Sequence, residues 1–441
     1  MKFQAPRGTH DVLPGDSFRW RFVEETFREV CQRFGYAEIR TPTFEDTQLF
    51  LRGIGEGSEI IVDKQMYTFS DPGGDSLTLR PEGTAPTVRA YLENCLYAQG
   101  PVTKLFYIGP VFRYERPQSG RLREHYQCGV ELFGSRDPAT DAEVIQLGVT
   151  YLRALGVTGA EIHLNSVGCP VCRPAYLALL REYLQPYLEE MCGNCRRRFE
   201  TNPLRILDCK VETCRQVTAS APPIMNSLCA DCRDHFAGCQ DTLALYDINF
   251  VLDHRLVRGL DYYTRTAFEF LHRGLGAQSA ILSGGRYDGL VEECGGQPTP
   301  GVGFGCGIER TLLAMEAEGT LPPQPQTITV YVITLGSARP VGLKLLASLR
   351  SAGIAADTDY AGRSLKGQMR EANRCGARYA VIVGEDEVTQ NVATVKDLCI
   401  GEQESVPLDE VVARIAEGER EEPGATHTSL CRNRGIDRRA Q

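Results

Sequence analysis

The sequence predicts an α+β domain built on a largely antiparallel sheet flanked by helices, interrupted by a helical cysteine-rich insertion and followed by a smaller α/β domain. Three observations predict it. Up to about position 135, and again from Thr266, short strand-like runs follow one another with few helices between them, and short connections of that kind join antiparallel strands. From Cys169 to about position 235 the character changes to helical stretches carrying four cysteine pairs. Beyond the proline-rich joint Leu321 to Gln326, strand and helix alternate, which describes an α/β unit with parallel strands.

The elements follow in chain order. Phe22, Val23, Phe27, Val30, Cys31 and Phe34 recur at helical spacing over positions 17 to 34 and form an apolar stripe. Gly35 ends that helix, and Tyr36 to Arg40 reads as a short strand running into Thr41-Pro42. Strands are expected at Ser76 to Leu79, Lys104 to Tyr107 and Gln127 to Phe133, with a helix at Ala85 to Tyr97. After the insertion they return at Thr266 to Phe270, Ser279 to Ser283 and Gly301 to Gly307. Past the joint come strand Ile328 to Thr334, helix Pro340 to Ala352, strand Ile354 to Thr358, helix Leu365 to Cys375 and strand Tyr379 to Val383. The domain bounds expected are therefore 1–325, with the insertion at 168–240, and 327–417. Residues 418–441 are mostly polar or charged and are expected to be a disordered tail.

At 441 residues the chain exceeds one ordinary core, so two or three domains are expected. No apolar run approaches the roughly 20 residues that cross a bilayer, and Met1 to Pro14 has no apolar core of a signal peptide. A cytoplasmic location without membrane contact is expected. In that reducing compartment the 17 cysteines read as metal ligands or inert core thiols rather than disulfides. A net charge of −9 excludes a protein that is basic all over, but basic residues cluster locally. Arg113 to Arg123 holds four arginines against Glu115, and Arg363 to Arg378 holds five basic residues against Glu371.

Four segments carry chemistry. The run R-G-L-D-Y-Y-T-R-T-A-F-E-F from Arg258 to Phe270 suits a polar pocket wall. A guanidinium matched to phosphate or carboxylate stands beside a glycine that permits close approach; a surface strand with a solvated arginine is the plain alternative. Leu79 to Thr84 places Glu82, Gly83 and Thr84 between a strand and a helix, where they could hold an ammonium group or where Thr84 could simply cap the helix. Phe112 to Phe133 reads as a hairpin with a basic, polar loop carrying Gln118, Ser119, Gly120 and Arg121. Its return strand aligns Gln127, Gly129 and Glu131 on one face, either as a site or as a solvated surface. In Gly301 to Arg310 the alternating glycines leave one face of a strand bare, able to approach a planar ring, and Arg310 begins a helix. This is not the dinucleotide fingerprint, since Cys306 stands where its third glycine belongs.

The cysteine pairs Cys169/Cys172, Cys192/Cys195 and Cys229/Cys232 have C-x-x-C spacing, and Cys209/Cys214 is set wider. Two such pairs make a tetrahedral thiolate zinc site. The spacing admits one zinc, two, or metal-free thiols, and leaves open which pairs combine. No histidine or water-activating carboxylate pattern accompanies them, so any zinc is expected to be structural.

Together these segments resemble the class II aminoacyl-tRNA synthetases and, among them, the histidyl-tRNA synthetase family, over about Pro6 to Ala416. The first helix and the strand ending at Pro42, the hairpin Phe112 to Phe133, and Gly301 to Arg310 resemble the three class motifs. R-G-L-D-Y-Y-T (Arg258 to Thr264) and S-G-G-R-Y-D-G-L (Ser283 to Leu290) resemble the histidine-specific segments. Gly362 to Lys366 and Gly376 to Tyr379 resemble stretches of the family's anticodon-binding module.

The resemblance implies the class II synthetase fold and a ligase that activates L-histidine with ATP and Mg2+ and passes it to tRNA(His), as a homodimer. It implies that Arg113 and Arg258 hold the α-phosphate from two sides and that Arg310 contacts ATP. Glu82, Gly83, Thr84 and Gln127 would orient the amino acid's ammonium and carboxylate, and Glu131, Tyr262, Tyr263 and Tyr287 would read the imidazole. Where the family usually has Phe-His before the glutamine, this chain has His125-Tyr126, which puts His125 at the adenine. The cysteine-paired insertion is present in only part of the family. Two other readings are weighed. A regulatory paralogue of histidine biosynthesis typically lacks the second domain and the arginines, both present here. A zinc-dependent nucleic-acid-binding protein leaves the Arg258 segment without a role.

Overall fold

The computed structural model describes residues 3–54, 65–114, 122–325 and 327–421. The hairpin-loop residues Gln118 to Arg121 and the tail beyond Glu421 lie outside them. The chain divides into two compact units at Pro322/Pro323.

The first unit contains β1 (Ala37–Glu38), β2 (Phe44–Asp46), β3 (Tyr67–Ser70), β4 (Ser76–Leu79), β5 (Thr103–Phe112), β6 (Glu124–Phe133), β7 (Ala160–Ser166), β8 (Val251–Leu252), β9 (Thr264–His272), β10 (Ala280–Arg286) and β11 (Gly301–Gly307). Eight of them form one sheet in the order β1-β5-β6-β11-β10-β9-β7-β8, and β2-β4-β3 form a small second sheet. The interior of the large sheet is antiparallel as expected, but its two outermost pairs, β1 with β5 and β7 with β8, are parallel. Those edge strands are two residues long, too short to show a period, and their direction is set by where the chain re-enters the sheet.

Helices Pro14–Arg33, Pro138–Ala154 and Ile308–Glu318 supply the core that covers one face. Phe27 meets Phe106, Tyr151 and Phe304 edge-on at centroid distances of 5.9, 5.0 and 6.3 Å, the offset geometry that ring quadrupoles favour. Val23, Phe27, Val30 and Cys31 of the expected stripe are thus buried within this unit, whereas Phe22 turns outward. The helix Pro138–Ala154 and β7 fall in a stretch left unassigned by sequence. Asp137 starts that helix by accepting from the Ala139 amide at 2.9 Å, with Pro138 next to it. The insertion folds as helices Arg173–Leu184, Gly193–Thr201, Glu212–Ala219 and Ala230–Leu245.

One buried network ties these layers together. Arg286, fully buried at the end of β10, donates to Asp141, to the Ser135 carbonyl at 2.9 Å and to Thr140 Oγ1 at 3.0 Å. His235 of the insertion's last helix lies 3.3 Å from the same Asp141. Burial alone would raise the Asp141 pKa, but the Arg286 charge and the hydrogen bonds from His235 and Arg286 together override it and hold the group at about 2.

The second unit has β12 (Val330–Thr334), β13 (Ala356–Thr358), β14 (Tyr379–Val383), β15 (Val392–Asp397) and β16 (Gln403–Pro407) in the order β13-β12-β14-β15-β16. Only the first three are parallel; β15 and β16 add an antiparallel meander the sequence reading did not include. Helix Val411–Glu421 continues past position 418, where the tail was expected to begin. Val411 and Ile415 bury against the sheet, and extending an anchored helix by a turn adds one hydrogen bond per residue fixed.

Candidate active site

β6 turns Cys128, Val130 and Leu132 into the core and Gln127, Gly129 and Glu131 to the opposite face, as the two-residue period of a strand requires. β11 runs beside it with Gly303 opposite Glu131. A Cβ on Gly303 would come within 2.1 Å of Glu131 Oε2, and one on Gly305 within 2.2 Å of Gln127 Nε2. Much of the bare glycine face is therefore filled by side chains of the neighbouring strand, while Gly305 and Gly307 line a cavity.

That cavity, about 190 Å³, is lined by Arg113, His125, Gln127, Arg258, Ser283 and Arg310. The three guanidiniums come from the end of β5, the coil before β9 and the start of helix Ile308–Glu318. Arg113 is anchored through Nε to the Pro81 carbonyl at 2.8 Å, and Arg310 through Nη1 to the Ala280 carbonyl at 2.8 Å. Burial lowers the pKa of both. Arg258 also lowers that of Arg113, and Arg113 that of Arg310, so the charges repel one another across the cavity. For Arg258 burial works the same way, but Glu269, which accepts from its Nη1, together with Tyr263 and Tyr262 more than offsets it and leaves the pKa raised. Arg258 lies 5.4 Å from the Tyr263 ring centre. Its Nε and Gln127 Oε1 are buried with no hydrogen-bond partner among the described residues. Converging cations with an unpaired Nε donor call for an anionic group, and the unpaired Gln127 oxygen calls for a donor beside it.

Beside the cavity lies a sealed polar cluster. Glu82 accepts from the amides of Thr84 at 2.6 Å and Ala85 at 2.8 Å, so the helix Thr84–Glu93 is capped by the carboxylate and not by Thr84. Thr84 is left to donate its hydroxyl to Glu131 Oε1 at 2.7 Å, and Tyr287 donates to Glu131 Oε2. Burial raises Glu82, and it raises Glu131 to about 8 in spite of both donors. Tyr262 stacks obliquely on Tyr263 at 4.7 Å and meets Tyr287 edge-on at 5.7 Å. Gly83 makes room for Tyr107, whose ring a Cβ there would meet at 2.2 Å. Tyr107 itself, Glu269 and Glu309 were missed by sequence. Glu309 accepts from the Tyr126 amide at 2.9 Å and is raised by burial to about 7. Tyr126 packs edge-on against Trp20 at 5.3 Å, while His125 faces the cavity.

All eight paired cysteines gather into two groups: Cys169, Cys172, Cys229 and Cys232, and Cys192, Cys195, Cys209 and Cys214. In each the four sulfurs lie within 4.8 Å of one another. The 3.7 Å between Cys169 and Cys172, 3.8 Å between Cys169 and Cys229 and 3.9 Å between Cys172 and Cys232 match the ~3.8 Å edge of a tetrahedron with Zn–S bonds of about 2.3 Å.

The histidyl-tRNA synthetase family model matches residues 8–170 and 204–311, more than half of the chain. The chain belongs to the histidyl-tRNA synthetase family. An anticodon-binding-domain model matches residues 329–418 of this synthetase-family chain. It is 53% identical to the histidine–tRNA ligase of Pelotomaculum thermopropionicum over 418 residues, covering 95% of this chain and 98% of the relative. Identity to the Moorella thermoacetica histidine–tRNA ligase is 56% over 413 residues, covering 93% and 97%. Among solved structures it is similar to apo histidyl-tRNA synthetase of S. aureus, with a TM-score of 0.79 and 37% identity, covering 94% of this chain and 99% of that one. No helix of the described residues is long and apolar enough to cross a membrane.

Proposed function

We propose that the chain is a cytoplasmic histidine–tRNA ligase. The carboxylate of L-histidine attacks the α-phosphorus of ATP and expels pyrophosphate; the terminal ribose hydroxyl of tRNA(His) then attacks the histidyl carbonyl and expels AMP. The observation that carries this reading is the single cavity shared by Arg113, Arg258 and Arg310 beside the sealed Glu131 cluster. Arg113 and Arg258 hold the α-phosphate from two sides, and their attraction strengthens as negative charge gathers on the phosphoryl oxygens in the transition state. Arg310 takes the outer phosphates and His125 the adenine. Gln127, Glu82 and Thr84 hold the amino acid's carboxylate and ammonium, and Glu131 with Tyr263, Tyr262 and Tyr287 reads the ring nitrogens. A buried carboxylate already held by two hydroxyl donors rejects side chains that cannot match it. Mg2+ supplies charge neutralisation on the ATP phosphates.

On the second unit, Lys366, Arg370 and Arg374 stand exposed at four-residue spacing along one face of helix Leu365–Arg374, a basic stripe suited to tRNA phosphates. The homodimer rests on the family; Val23, Phe27, Val30 and Cys31 of the first helix lie in the unit's own core and do not argue for it.

Pure protein should catalyse histidine-dependent ATP–pyrophosphate exchange, and equal exchange with other amino acids, or none, refutes the reading. Structural Zn2+ fits both thiol groups. Metal analysis of protein purified without chelator should find about two zinc ions per chain, one per tetrathiolate, and less than one leaves the groups as plain thiols.

A further inference from the structure

The segment Arg258 to Tyr263 is coil leading into β9. Arg258 at its start is paired with Glu269 of β9. Two contacts from the insertion reach the rest of the segment. Arg173, next to Cys172 at the start of its helix, reaches across with Nη2 to the Tyr263 carbonyl at 2.5 Å. The same side chain donates to the carbonyls of Val167 at 3.2 Å and Gly168 at 3.3 Å, the hinge where the insertion leaves β7. Asn202, at the end of helix Gly193–Thr201, donates Nδ2 to Asp261 Oδ1 at 2.7 Å. Each contact is carried by a different thiol group. Arg173 adjoins Cys172 of the first, and Asn202 lies between Cys195 and Cys209 of the second. Between the two contacts is a second cavity of about 200 Å³, and Arg258 lies on the walls of both cavities.

We infer that Arg173 and Asn202 are positioning residues for histidine activation, through which the insertion holds Arg258 and Tyr263 in place from two sides. Neither lines the cavity that Arg113 and Arg310 share. Arg173 fixes the backbone of the tyrosine that would read the imidazole, and Asn202 fixes the acid in the middle of the segment. With Zn2+ bound, each tetrathiolate would tie the helix end that carries its holding residue into a cross-linked unit. The inference rests on the roles proposed above for Arg258 and Tyr263.

The test uses full-length, zinc-loaded protein in the exchange assay, with rates normalised to active sites counted by the burst of adenylate. Arg173→Met should lower kcat by about 10- to 100-fold, the scale of a sub-ångström to ångström misplacement of catalytic groups, with KM for ATP changed by less than about twofold. Arg173→Lys should recover part of that loss, because an ammonium can reach one carbonyl but cannot bridge three. Asn202→Ala should lower kcat by about 10-fold on the same argument. Bound zinc should be unchanged in all three. An unchanged kcat per active site in Arg173→Met or Asn202→Ala overturns the inference, and so does a loss of rate that appears only together with loss of zinc. Arg258→Ala is the control. If it exchanges normally the proposed site itself fails, whereas a slow Arg258→Ala beside a normal Arg173→Met sinks only the positioning role.

Discussion

Replacing Arg258 by alanine should slow histidine-dependent ATP–pyrophosphate exchange by about 10²- to 10³-fold, the scale for removing one preorganised transition-state donor. Arg258 has the features such a donor needs. It lines the same cavity as Arg113 and Arg310, is half-buried, and keeps its Nε without a partner among the described residues, so a phosphoryl oxygen can be met without breaking an existing bond. Its pairing with Glu269 fixes the guanidinium plane and holds its charge. Because the gain comes as charge develops on the phosphorus, the loss should fall on kcat more than on KM for ATP. Arg258→Lys should recover little, since an ammonium cannot satisfy Glu269 and a phosphoryl oxygen with the same planar fork. A rate within twofold of the parent in Arg258→Ala removes this arginine from the mechanism.

Much of that site was legible because it is written in local signals. Gln127 and Glu131 share a face through the strand period alone, and Arg258 announces a polar cavity wall within one short run. What the sequence concealed is tertiary. Glu269 is a single acid between Phe268 and Phe270, and only the strand order places it beside Arg258. Capping by Thr84 is one of two readings of this turn, yet Glu82 takes the amides because its longer side chain folds back on the helix start. The cysteine pairs combine first with last and second with third, a nested pattern fixed by how four helices fold back. The parallel edge pairs and the meander of the second unit were missed for a related reason: direction and order of strands are set by packing and chain return, not by residue pattern.

The largest stability effect should come from the buried network under the site. Removing one partner of a buried, hydrogen-bonded ion pair leaves the other charge uncompensated, and Arg286→Met should destabilise the first unit by about 3–5 kcal/mol in urea unfolding at pH 7. Asp141 and Arg286 are both fully buried, and Asp141 would keep only His235 as a partner. The pH dependence should reverse sign. In the parent protein the Asp141 pKa is depressed from 3.8 to about 2, so its contribution is present above pH about 4 and lost as the pH falls towards 2. In Arg286→Met burial acts on Asp141 without the opposing charge, the folded pKa rises above the unfolded one, and the variant should gain stability as the pH is lowered from 7 to 5. A second change, Asp141→Leu, should restore much of the loss by removing the stranded charge. Equal urea midpoints at pH 7 for parent and Arg286→Met would show that the network contributes nothing measurable. The network also bears on chemistry, because Arg286 directly precedes Tyr287, whose hydroxyl donates to Glu131. Loosening the end of β10 should therefore weaken discrimination for histidine before the unit unfolds.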